Sequence, residues 1–282
     1  MSRSFISRIA EFILWKTKPT YMTSTEEIKR FLDNKSEEKF KSIFNSENIC
    51  GMDVVSFGEE YDDSRIIIYV HGGAYVNQIN MQHQLYCYLI SKILKIHVIL
   101  PVYPLCPQHD YSESYKEITE LYEHILQQHN QITLMGDSAG GGFVLGFTQQ
   151  LEKLGLRKPD NIIVFSPWLD VSMKNEYDDT KDPILGNAGL KEIGIRWSGN
   201  LSTTDYHVSP LYGDNSGMPR TLIFTGSNEI FYKDILCYYE KLVENKVDVE
   251  LIVGDEMFHI YPLFPIPEAM GVLKKIKKEM KE

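Results

Sequence analysis

From residue 51 onward, short apolar runs alternate with longer stretches in which apolar residues recur every three or four positions. The run Arg65-Ile-Ile-Ile-Tyr-Val70 is rich in β-branched residues and apolar on both faces, the pattern of a strand covered on both sides. Runs at 54–57, 97–103, 131–135, 161–165, 220–225 and 247–253 predict further strands. Helical spacing predicts helices over 81–95, 112–129, 138–154, 232–245 and 268–281; in 112–129 it is carried by Ile118, Leu121, Tyr122 and Ile125. Strands and helices in alternation predict an α/β fold, with a mostly parallel central sheet and helices on both faces.

Two regions break the alternation. Residues 1–50 read as helical and polar, with Phe5, Ile9, Phe12 and Ile13 on one helix face. That face is expected to pack on the protein rather than lie on a membrane surface. Arg8, Glu11 and Lys16 interrupt the apolar stretch and no small-residue cleavage site follows, which argues against a secretion signal. Residues 167–219 hold Asp178-Asp179, Pro183, several glycines and Trp197 without a clear strand. So long an insertion is expected to form a small structured cap. The predicted organisation is an N-terminal helical segment at 1–50, part of that cap, and a main domain at 51–282 with the insertion at about 167–219.

Composition narrows the function. The 282 residues are 43% hydrophobic and 24% charged, enough to bury one large core. With 29 Lys and Arg against 39 Asp and Glu, the formal net charge of −10 disfavours a nucleic-acid partner. The one basic cluster, Lys274, Lys275, Lys277, Lys278 and Lys281, reads as the solvated face of the last helix. Cys50, Cys87, Cys106 and Cys237 show neither paired nor metal-ligand spacing, so a reducing, cytoplasmic setting without disulfides or a metal is expected. No run is long and apolar enough for an integral membrane span.

The chemistry concentrates in Gly136-Asp137-Ser138-Ala139-Gly140, which follows a predicted strand and opens a predicted helix. A serine on so sharp a strand-to-helix turn is held in strained dihedrals, and bulk two positions either side would collide with strand or helix. Gly136 and Gly140 meet that demand. The alternative is a glycine-rich helix start that merely caps or cradles a phosphate. His71-Gly72-Gly73-Ala74 follows the Ile-rich strand, where glycine N–H groups are accessible to a developing oxyanion. Gly72, Gly73 and Ala139 are the expected oxyanion-hole donors, and His71 is expected to orient the loop.

On sheets of this kind the nucleophilic serine is followed in the chain by an acid and then by a histidine. Only His207 and His259 follow Ser138. His207 lies in the irregular insertion, whereas His259 follows a predicted strand and precedes the last helix, which favours His259. For the acid, Glu229 lies just beyond the strand at 220–225; Asp234 is a rival deeper in the next helix, and Asp255 reads as loop solvation.

In these motifs and their order the chain resembles the hormone-sensitive-lipase-like branch of the α/β-hydrolases, which includes small bacterial esterases and arylacetamide deacetylase. The resemblance spans residues 65–265 and rests on His71-Gly-Gly-Ala-Tyr75, Tyr103-Pro-Leu-Cys-Pro107 and Gly136-Asp-Ser-Ala-Gly-Gly141. Ser166-Pro-Trp-Leu-Asp170, Asp182-Pro-Ile-Leu185, Ser209-Pro-Leu211, Gly226-Ser-Asn-Glu-Ile230 and Met257-Phe-His259 extend it. It implies an α/β-hydrolase fold with a helical cap built from the N-terminal segment and the stretch after Trp168, and a Ser138–His259–Glu229 triad. Ala74 stands where a third glycine is commoner, and Glu229 where many members have Asp. The expected activity is a serine carboxylesterase on short- to medium-chain esters, with a small-molecule ester as partner, no organic cofactor and, by the same resemblance, a homodimer. An amidase or deacetylase with the same triad, or a non-catalytic binder on this fold, are the alternatives.

Overall fold

A computed structural model of the chain describes residues 3–37, 40–61, 64–175 and 177–280. Its eight strands are β1 (Ser46–Ile49), β2 (Met52–Phe57), β3 (Arg65–Val70), β4 (His97–Pro101), β5 (Gln131–Asp137), β6 (Asn161–Phe165), β7 (Arg220–Gly226) and β8 (Val249–Gly254). They form one sheet in the order β1-β2-β4-β3-β5-β6-β7-β8. Pairing is parallel from β4 through β8 and antiparallel for β1–β2 and β2–β4. Eight α-helices accompany it among the described residues: α1 (Phe5–Thr17), α2 (Thr25–Asn34), α3 (Met81–Leu94), α4 (Tyr111–Gln128), α5 (Ser138–Leu151), α6 (Asn187–Trp197), α7 (Tyr232–Glu244) and α8 (Pro267–Glu279).

The pleat of β3 sorts the core into two layers. Ile66, Ile68 and Val70 face α4, α5 and α7, where Leu121, Phe143 and Tyr238 are buried. Ile67 and Tyr69 face α3 and α8, where Cys87, Ile90 and Ile276 are buried. The central strands carry near-continuous apolar runs because both of their faces are covered in this way.

Four sequence expectations need correction. Residues 1–50 are not helical throughout, because β1 pairs with β2 across a tight turn at Cys50 and Gly51, both at positive φ. β1 reads Ser-Glu-Asn-Ile and leaves three of its four residues exposed, so this edge strand carries no apolar signature. The predicted strand at 97–103 stops at Pro101, and the helix predicted to 154 stops at Leu151, ahead of Gly155 at positive φ. The fourth concerns α1. Its predicted apolar face does not pack on the body: Phe5 and Phe12 are 76% and 63% exposed, and Ser7 is the single buried residue. The other side of the helix is held by Ala10 and Leu14, partly buried against the α3 and α8 layer, and by polar bonds. Ser4 N, Ser4 Oγ and Ser7 Oγ all donate to the Glu268 carboxylate of α8, at 2.6, 3.0 and 3.1 Å.

Within 167–219, α6 packs on α2, and Arg196 on α6 pairs with Asp33 at 2.9 Å. Lys281 and Glu282 of the basic C-terminal stretch lie outside the described residues.

Candidate active site

Ser138 is the first residue of α5, directly after β5, and its φ is +52°. A side chain larger than hydrogen could not stand at the flanking glycines. A Cβ on Gly136 would lie 2.6 Å from Gly140 O, and one on Gly140 would lie 2.1 Å from Val70 O. The turn is therefore wedged between β3 and α5, and backbone strain at Ser138 is held by packing on both sides. Trp168 N donates to Ser138 O at 2.8 Å, which fixes the turn from a third direction.

His259 stands in the loop after β8, with Nε2 at 2.9 Å from Ser138 Oγ and Nδ1 at 2.8 Å from Glu229 Oε2. Glu229 follows β7, and its second oxygen accepts from Thr225 Oγ1, the last-but-one residue of that strand. Three chain segments that are remote in sequence thus meet at the C-terminal ends of parallel strands, where open α/β sheets form their sites. Ring and carboxylate are both almost wholly buried. Burial by itself pulls the His259 ring down, but the hydrogen bond and charge of Glu229, with Asp182 behind it, outweigh burial and raise it above 6.5. An imidazole bonded in this way can accept the serine proton and be stabilised once charged.

The rival residues are engaged elsewhere. Asp234 lies in α7 and accepts from Asn175 Nδ2 and Tyr177 Oη. His207 bonds Asp205 at 2.7 Å in the insertion. His71 is fully buried; burial first, then the neighbouring His83, push it down to about 3, so the ring is neutral. Its Nδ1–H donates to Gly72 O at 2.6 Å, and Tyr103 Oη donates to His71 O at 2.7 Å, consistent with a residue that orients the loop.

The glycine loop corrects one expectation. Gly72 N donates to Asp137 Oδ1 at 3.0 Å, so this N–H is not available to an oxyanion. The next two N–H groups, of Gly73 and Ala74, have no acceptor among the described residues, and the chain there turns through positive φ at 73, 74 and 75. Ala139 is the second residue of α5, and N–H groups in a first helical turn have no intrahelical partner.

Two buried carboxylates that sequence reasoning left without a role shape this geometry. Asp137 also accepts from Tyr69 Oη at 2.9 Å, and His83 Nε2 lies 3.5 Å from its other oxygen. Burial would raise Asp137, yet the neighbouring His83 and the donors of Tyr69 and Gly72 hold it below the usual carboxylate range. Asp182 accepts from the N–H groups of Ile184, Leu185 and Ile230 at 2.8, 2.9 and 3.0 Å, and so holds the residue next to Glu229. Burial keeps its carboxyl above the usual range. The signal for both was present in the sequence: Asp137 directly precedes the serine, and Asp182 opens Asp-Pro-Ile-Leu.

Residues 67–263 match the protein family described as alpha/beta hydrolase fold. The chain belongs to the α/β-hydrolases. An esterase of Acinetobacter venetianus is 30% identical over 224 residues, which cover 76% of this hydrolase and 73% of that protein. An acetyl-hydrolase of Streptomyces hygroscopicus is 25% identical over 205 residues, covering 71% and 69% of the two chains. A solved esterase from the bacterial hormone-sensitive lipase family shares the fold at TM-score 0.84 and 22% identity, over 99% of this hydrolase and 98% of that chain. The resemblance to the α/β-hydrolases therefore holds, and this hydrolase is a carboxylic ester hydrolase of the esterase/lipase type. Among the described residues no helix is long and apolar enough to cross a membrane.

Proposed function

We propose that the hydrolase cleaves short- to medium-chain carboxylic esters through an acyl-enzyme on Ser138. One observation carries the reading: the His259 ring bridges Ser138 Oγ and Glu229 Oε2 at 2.9 and 2.8 Å, beside a serine held at positive φ. His259 takes the serine proton as Oγ attacks the ester carbonyl, and Glu229 holds the ring and stabilises its positive charge. The tetrahedral oxyanion is received by the N–H groups of Gly73, Ala74 and Ala139, with Ala74 replacing Gly72. Each such donor typically lowers the barrier by about 3 kcal/mol. The alcohol leaves with the proton from His259, and a water deprotonated by the same ring then cleaves the acyl-enzyme.

The aromatic wall behind the serine favours small acyl groups. Tyr75 donates to Ala139 O at 2.8 Å and stacks on Trp197 at 4.0 Å, while Phe231 meets the His259 ring edge at 5.3 Å. Tyr75, Trp168, Trp197 and Phe231 are all buried, so long chains find little room on that side. The similarity to an acetyl-hydrolase agrees with this. The test is a series of p-nitrophenyl esters of increasing acyl length, together with a fluorophosphonate probe. Turnover falling beyond medium chains and an adduct on Ser138 are expected. A folded protein that takes no label, or prefers the longest esters, overturns the reading.

A further inference from the structure

α1, α3 and α8 lie on one side of the sheet and combine an exposed apolar surface with exposed charge of one sign. Ile6 and Ile13 are 52% and 54% exposed, alongside Phe5 and Phe12. The surface continues over a groove of about 830 Å³ between the three helices, whose walls include Ile6, Leu85, Leu89, Phe264, Met270 and Leu273. Large apolar side chains exposed in one contiguous area mark an interaction surface.

The exposed charges on the described residues of these helices are Arg8 and Lys16 on α1, Lys92 on α3, and Lys274, Lys277 and Lys278 on α8. The acids are tied down: Glu11 pairs with Arg3, Glu268 accepts from Ser4 and Ser7, and Glu279 pairs with Arg220 and Lys275. Among the cations, Lys92 pairs with Glu60. On a chain of net charge −10, this face carries outward charge opposite to that of the molecule.

We propose that this face docks peripherally on an anionic phospholipid surface. α1 turns Ser7, Ala10 and Leu14 toward the body and Phe5, Ile6, Ile9, Phe12 and Ile13 outward, with cations at the margin, the composition of a helix that lies in the headgroup region. Lipid phosphates complement the exposed lysines and arginine. A second copy does not, because an isologous contact through this face sets the same cations against each other. The face also borders the proposed site. Pro262 and Leu263, in the loop after His259, line the groove. Lys18, at the end of α1, donates to Asp182 O at 2.7 Å, and the Asp182 carboxylate holds Ile230 N. Esters dissolved in a bilayer are thereby concentrated beside the catalytic rim.

Trp15 supplies a local reporter, because it is 38% exposed on α1 whereas Trp168 and Trp197 are fully buried. The full chain is mixed with vesicles of phosphatidylcholine alone and of phosphatidylcholine with phosphatidylglycerol. Co-sedimentation and a blue shift of Trp emission are expected with the mixed vesicles, weaker with phosphatidylcholine, and reduced by salt. The triple variant Lys274→Glu, Lys277→Glu, Lys278→Glu is expected to lose about fivefold in partitioning per lysine. The double variant Phe5→Ser, Phe12→Ser is expected to lose roughly tenfold or more, together with the blue shift. Both variants should keep wild-type turnover of soluble p-nitrophenyl butyrate, which reports an intact fold. Absence of vesicle binding by the wild type, or binding unaltered in the double variant, overturns the proposal. So does a lipid-free dimer that the double variant makes monomeric, which assigns the face to a second copy. Failure of the esterase reading shows separately, as absence of turnover in the wild type whatever the vesicles do.

Discussion

α5 and α1 are helices of similar length and similarly apolar sequence, yet every residue of α5 is buried and only Ser7 of α1 is. α5 begins at Ser138 and is gripped from all sides, by β3 and β5 below and by residues 166–168 above; a Cβ on Gly142 would lie 2.0 Å from Trp168 O. α1 is attached by its polar edge and by the partly buried Ala10 and Leu14, and it offers Phe5, Ile9, Phe12 and Ile13 outward. Rigidity is thus concentrated where a strained serine has to be held, and apolar surface is left uncovered where nothing in the fold needs it. Substitutions in the two helices should differ in kind: in one they remove chemistry or stability, in the other neither.

The largest expected effect is at the buried helix start. Ser138→Ala should lower kcat for a p-nitrophenyl ester by on the order of 10^6-fold while the protein remains folded by circular dichroism. Near-full activity in the folded variant would remove the acyl-enzyme from the mechanism. Next is the acid. Glu229 has one oxygen on His259 Nδ1 and the other on Thr225 Oγ1, so Glu229→Gln presents an amide donor or a weaker acceptor to the ring and disfavours the required tautomer. A loss of about 10^4-fold in kcat is expected by analogy with a carboxylate-to-amide change in a serine-protease triad. Asp234→Asn, bonded to Asn175 and Tyr177 away from the ring, should cost far less. The reverse ranking would assign the acid to α7.

How much of this was legible beforehand follows the same division. The meeting of Ser138, Glu229 and His259 was legible because each is tied to the end of a strand whose apolar run is unmistakable, and chain order did the rest. The donor at Gly72 was misread because two adjacent glycines look alike in sequence. Which N–H turns to Asp137 depends on a buried carboxylate reaching across from β5. β1 was invisible because an exposed edge strand needs no apolar pattern. The α1 periodicity was read correctly as one apolar face, but periodicity fixes a face and not what the face meets. The Ser4 and Ser7 bonds to Glu268 decide that, and they join residues more than 260 positions apart.

Core packing gives the third effect. Phe143 on α5 is 1% exposed and packs its ring 4.5 Å from Tyr115. Phe143→Ala should destabilise by about 3 to 5 kcal/mol, read from urea unfolding. A change below about 1 kcal/mol would mean that this layer is looser than its burial implies. The fourth is a pH profile. In the proposed mechanism His259 is neutral when it accepts the serine proton, and its folded value is raised above 6.5 because the hydrogen bond and charge of Glu229 outweigh burial. kcat/KM should therefore be flat above that raised value and fall about tenfold per pH unit below it. Glu229→Gln should move the inflection downward, since the negative partner is gone. An inflection below 6.5 in the wild type would break the link between ring and carboxylate.

The smallest effect is the one that most sharpens the contrast. Phe12 on α1 carries a side chain as large as Phe143, but it is 63% exposed; Lys16 Nζ sits 5.6 Å over its ring. Removing it leaves no cavity and exposes no core, so Phe12→Ala should change unfolding free energy by no more than about 0.5 kcal/mol. Turnover of a soluble ester should be unchanged as well. Side by side in urea, the same substitution in two helices of one molecule should thus differ by several kcal/mol on the order of the burial difference alone. A Phe12→Ala loss approaching that of Phe143→Ala would mean that α1 turns its apolar face inward in solution, and the outward-facing surface would then not exist.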